Sequence, residues 1–144
     1  MSDLVVTISR VRFHPWRAIR SRPDIEVHWE RREGLLGSWC ERTRRMVMHP
    51  DQNQAERRCT AAHELLHVER GDTTCDWRTH RDAARLLIDM DVLGDALVFC
   101  GEDLAQAADE LWVDEDTLRA RLDHLHPSER GYLRRRLSMR EESA

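Results

Sequence analysis

The sequence predicts an α+β fold in which a short antiparallel sheet packs on one central helix and a helical unit with a helix-turn-helix pattern follows. Three observations predict it. Residues 53–69 read as one uninterrupted helix, while residues 25–31, 38–40 and 45–48 have the extended, alternating character of strands. Apolar residues Leu104, Ala108, Leu111, Val113, Leu118 and Leu122 are spaced as in two short helices joined by a tight turn. A chain of 144 residues with formal net charge −4 suits one compact unit, in which residues 1–100 form a first domain and residues 101–144 a helical subdomain.

Taken in order, residues 4–8 (LVVTI) predict a short strand, and Pro15 stands where a helix begins, ahead of a brief apolar pattern through Ile19. From Ile25 the segment IEVHWER alternates apolar and polar side chains. Gly34 and Gly37 interrupt it, and extended character resumes at Ser38-Trp39-Cys40 and Arg45-Met46-Val47-Met48. Pro50 and Asp51 end the sheet, so the last strand is expected to flank the following helix and to offer an edge for an added peptide strand.

That helix carries His63-Glu64-Leu65-Leu66-His67. Residues four apart share a helix face, so both imidazoles reach one zinc ion at roughly 2.0–2.1 Å, and Glu64 sits beside the metal where a general base belongs. Asn53 is a plausible N-cap, no Pro or Gly interrupts the segment, and Gly71 stops it. A second helix is expected from about Asp76 to Met90, and a third zinc ligand from its start. Asp76 ranks first for that role, His80 one turn on is the alternative, and Cys75 comes third; Asp is also a favoured helix cap, whatever the metal.

Residues 89–116 hold ten acidic side chains and no basic one, with Asp114 or Asp116 placed to cap the second helix of the turn unit. A final helix opens at Pro127-Ser128, runs through Leu137 and gives way to a polar tail from Arg140. Its Arg134, Arg135 and Arg136 read as a solvated basic face. No apolar run approaches the roughly 20 residues of a membrane span, and the N-terminus lacks a secretory pattern, so a cytoplasmic location is expected. Four scattered cysteines without Cys-x-x-Cys predict reduced thiols.

These blocks resemble the ImmA/IrrE metallo-endopeptidases of phages, mobile elements and bacterial stress regulators. The resemblance spans roughly residues 45–126. It rests on Arg57-Arg58 through the His63–His67 motif, on Asp76 through Ala83-Ala84-Arg85-Leu86-Leu87-Ile88, and on Leu104-Ala105 through Leu118 to Arg121-Leu122. It implies a small zincin-like metallopeptidase domain, Zn2+ as cofactor, and a protein substrate, a transcriptional repressor. His63, His67 and Asp76 would hold the metal and Glu64 would be the base. The family usually has Glu where Asp76 stands and Pro where Asp89 stands. Two other readings are a DNA-binding regulator with a vestigial metal site and an antirepressor that binds without cutting. The acidic run Asp114-Glu115-Asp116 opposes DNA binding, although Arg119 and Arg121 lend some basic character.

Overall fold

A computed structural model describes residues 13–143; the strand expected at residues 4–8 lies outside them. The described chain runs α1 (Pro15–Arg20), β1 (Glu26–Trp29), β2 (Gly37–Cys40), β3 (Arg45–Met48), α2 (Gln54–Arg70), α3 (Trp77–Leu87), α4 (Met90–Cys100), α5 (Leu104–Leu111), α6 (Glu115–Asp123) and α7 (Pro127–Ser143). Pro15 opens α1 as its position predicts.

The sheet is mixed, not antiparallel. Its order is β1-β3-β2. β3 pairs antiparallel with β2, from Gly37 against Met48 to Cys40 against Arg45, and parallel with β1, from Glu26 against Arg45 to Trp29 against Met48. Period-two alternation fixes which side chains share a face but does not choose a strand's neighbour. Burial chooses it here: Met46, Val47 and Met48 are 0%, 4% and 0% exposed, and a strand apolar on both faces belongs in the centre. The last strand therefore has no free edge, and the edge beside α2 belongs to β2.

Helix α2 lies between two cores. Ala61, Leu65 and Val68 face the sheet and α1, joining Ile19, Trp39, Met46 and Met48. Cys59 and Ala62 face the helical side, with Ala83, Leu87, Leu93, Val113, Leu118 and Leu133, so one cluster draws on residues either side of position 100. Two buried stripes leave a third, Thr60, His63, Glu64 and His67, at the helical spacing of three and four. The helix starts at Asn53 in a reciprocal cap: Glu56 N–H donates to its side chain at 2.8 Å and its own N–H donates to Glu56 at 3.2 Å. It stops at Gly71, whose φ of +66° is the left-handed value glycine adopts without strain.

The helix expected from about Asp76 to Met90 is α3, which ends a little sooner, where Ile88 turns extended; a further helix, α4, begins at Met90. In α4 the near-continuous apolar run MDVLGDALVFC hides the helical period that Leu93, Ala96 and Leu97 actually follow. Gly94 lets α7 approach closely, since a Cβ there would stand 2.8 Å from Arg136 Nη1. α5 and α6 join through residues 112–114, and Asp114 caps α6 by accepting from Thr117 N–H at 2.7 Å. α7 continues past Arg140, where the sequence suggested a tail. Within the basic cluster, Arg136 is half-buried and pairs with Asp95 at 2.6 Å. Arg121 faces inward and is tied to Glu129 at 2.6 Å.

Candidate metal centre

Thr60, His63 and Glu64 of the third stripe of α2 form one wall of a cleft of about 520 Å³. Leu35, Leu36 and Gly37 approach from the β2 side, Cys75 and His80 from α3 and the loop before it, and Asp114, Asp116 and Thr117 from α6. A second hollow, about 550 Å³, lies between Phe99, Trp112 and Asp95 and is lined by none of His63, Cys75 and His80.

Gly37 brings β2 against the base candidate. A Cβ on it would meet Thr60 Cγ2 at 2.5 Å and Glu64 Cγ at 3.3 Å, so only a residue without a side chain permits this approach. A polar clamp holds the same junction. Gln52, 5% exposed, donates to the carbonyls of Leu36 at 3.0 Å and His49 at 2.9 Å and accepts from Thr60 Oγ1 at 2.7 Å. Glu64 is 5% exposed, and burial pushes its carboxyl up to about 7.

His63 Nε2 and His67 Nε2 stand 3.2 Å apart. Cys75 Sγ lies 3.4 Å from His63 Nε2 and 3.6 Å from His80 Nε2. These distances can be tested against a metal. With the usual zinc bond lengths, two nitrogens on a tetrahedral ion stand about 3.3 Å apart, and a nitrogen and a sulfur about 3.6 Å. Three donors fit: the ligand atoms of His63, Cys75 and His80 all lie within 4.8 Å of one another, while His67 stands outside that group and reaches it through His63 alone.

The protonation states agree with that use. Burial, reinforced by the charges of His80, His67 and Arg70, pushes His63 down to about 4, so its imidazole is neutral and free to ligate. His67, 3% exposed, has its Nδ1 3.1 Å from Asp72 Oδ1. A carboxylate only accepts, so Nδ1 carries the proton and Nε2 keeps its lone pair for a metal. Burial and the nearby Glu64 and Asp76 carboxylates raise the Cys75 thiol; a coordinating metal would reverse that preference.

Asp76 turns to its own helix. Its Oδ1 accepts from Arg78 N–H at 2.9 Å and Thr79 N–H at 3.3 Å, the arrangement of an N-cap. The structure thus brings His80 and Cys75 to His63 and leaves Asp76 outside that trio. Sequence reasoning passed over Gln52, Gly37 and Asp72. Only Gly37 left a signal, a glycine at the start of a strand, because nothing in the sequence pairs Asp72 with His67 or Gln52 with Thr60.

Residues 22–140 match the family model of the IrrE N-terminal-like domain, a peptidase family. No curated protein and no solved structure matches the chain. No helix among the described residues is long and apolar enough to cross a membrane.

Proposed function

The chain belongs to the ImmA/IrrE peptidase family, and from that premise we propose that it is a zinc-dependent endopeptidase acting on a protein substrate. The observation that carries the reading is the pair of Nε2 atoms 3.2 Å apart on α2, with buried Glu64 on the wall of the same cleft. His63 and His67 hold the metal, and His80 supplies a third ligand. Asp76, first in the sequence ranking, instead caps the helix that presents His80. When bound, zinc polarises the scissile carbonyl and makes a water molecule more acidic.

The chain's own residues do the rest. Glu64 takes the proton from the attacking water and passes it to the leaving amine, a role that its buried place on the cleft wall suits. Asp72 orients His67, and the Gln52–Thr60 clamp fixes the distance between β2 and Glu64. A substrate strand pairs along the outer edge of β2, unpaired among the described residues, beside the exposed Leu35 and Leu36. Residues 101–144 complete the cleft through α6 and engage protein, not DNA: their acidic Asp114 and Asp116 line it, and Arg121 is buried. The family resemblance makes a transcriptional repressor, of a phage or other mobile element, the substrate class we propose.

The test is Glu64→Gln, compared with the parent by metal analysis and by mass-spectrometric reading of digests of candidate repressors. The variant should keep about one zinc per chain and lose cleavage by about 10²–10⁴-fold. Cleavage at the parent rate would remove Glu64 from the base role.

A further inference from the structure

We propose that Cys75 is a fourth ligand of this metal, a thiolate that closes the site and keeps the peptidase latent until the loop carrying it withdraws. The inference rests on the zinc reading above. A catalytic zinc keeps three protein ligands and one open position, whereas a site with four protein ligands is closed. His63, His80 and Cys75 already stand together, and His67, whose Nε2 is 3.2 Å from that of His63, completes three imidazoles and one thiolate once the ion draws it in. The sulfur stands where a ligand must stand, at 3.4 Å and 3.6 Å from the nitrogens of His63 and His80. Both distances match the edges of a zinc tetrahedron, and packing does not hold the sulfur there, because Cys75 is exposed and belongs to neither buried cluster.

The placement also suits release. Cys75 lies in the stretch between Gly71 and α3, outside any helix or strand. Both ends are fixed: Asp72 is held by His67, and Asp76 by the first turn of α3. Between them Thr74 accepts a long hydrogen bond from Thr79 Oγ1 at 3.5 Å. A substrate seated in the cleft meets the Cys75 side chain directly, since the same residue lines it. In the closed state the thiol has given its proton to solvent on binding the metal. On opening, the sulfur leaves the metal and regains a proton from solvent, and water enters the vacated position.

The experiment loads the full chain with cobalt(II), and separately with zinc, as the parent and as Cys75→Ser. The parent cobalt form should show an intense sulfur-to-metal charge-transfer band in the near ultraviolet, and the variant should bind cobalt without it. In the parent, zinc should slow alkylation of Cys75 by iodoacetamide about tenfold or more, read by peptide mass spectrometry with exposed Cys40 as the internal control. Zinc-loaded Cys75→Ser should cleave about tenfold faster than the zinc-loaded parent. Identical cobalt spectra, or alkylation indifferent to zinc, would overturn Cys75 as a ligand while leaving the zinc reading intact. A charge-transfer band with equal cleavage rates would overturn the latency. Failure of both proteins to bind either metal would sink the zinc reading itself, and this inference with it.

Discussion

Replacing Glu129 with Ala should destabilise the metal-free protein by about 3 kcal/mol at neutral pH, and the loss should fade in acid. Arg121 has a side chain only 4% exposed, and Glu129 one that is 21% exposed. Glu129 meets both guanidinium nitrogens, at 2.6 Å and 3.2 Å, while Arg121 Nε donates to the Ile88 carbonyl at 3.0 Å. This ties the end of α3, the helix that presents His80, to α6 and α7. The Arg121 bond holds the Glu129 carboxyl down at about 2, from an ordinary value of 4.5. A carboxylate with a depressed folded pKa contributes stability that is complete above its unfolded value and is lost as pH falls towards the folded one. The span between those two values corresponds to about 3 kcal/mol at pH 7, about half of that or less at pH 3, and little at pH 2. Urea titrations of parent and Glu129→Ala, with chelator present, should therefore converge between pH 4.5 and 2. A difference below about 1 kcal/mol at pH 7, or one that does not shrink in acid, would refute the buried-pair argument.

Asp72→Ala should weaken zinc binding by about 10–100-fold, as expected for a residue that orients a ligand, with the effect read by competition against a chromogenic chelator. Asp76→Asn should leave zinc affinity near the parent value because Asn also caps helices, whereas His80→Ala should lower it strongly; the reverse pattern would return the third ligand to Asp76. Gly37→Ala should cost about 1–3 kcal/mol by overpacking against Thr60 and should reduce cleavage more than metal binding, because it displaces Glu64 and not the histidines. Zinc content equal to the parent with unchanged cleavage would contradict that account of β2.

The elements whose own residues state their limits were legible in the sequence. Asn53, the unbroken run to Arg70 and Gly71 describe a helix without any tertiary help, and the His63 and His67 spacing follows from its geometry. The same holds for Pro15 and for the α6 cap, which the sequence narrowed to Asp114 or Asp116 and the structure gives to Asp114. α4 was not legible, because Phe99, 71% exposed, shares the solvent face with Asp91 and Asp95 and so blurs the polar stripe that a periodic reading needs. Arg121 misled in the opposite sense: sequence shows its charge but not that Glu129, eight residues on, takes it into the interior.

The sequence by itself therefore determined α2, the His63 and His67 spacing along it and the family, since all three depend on residues within a few turns of one another. Tertiary structure alone decided what stands opposite that helix. β3 took the centre of the sheet and left the β2 edge beside Glu64. Asp76 spent its short side chain on its own helix end, while the path of residues 71–80 carried Cys75 and His80 to His63. The physical reason is range. A helical spacing is fixed by local backbone geometry, whereas the partners of a donor across a cleft are fixed by how separate elements pack, and packing leaves no periodic mark on the chain.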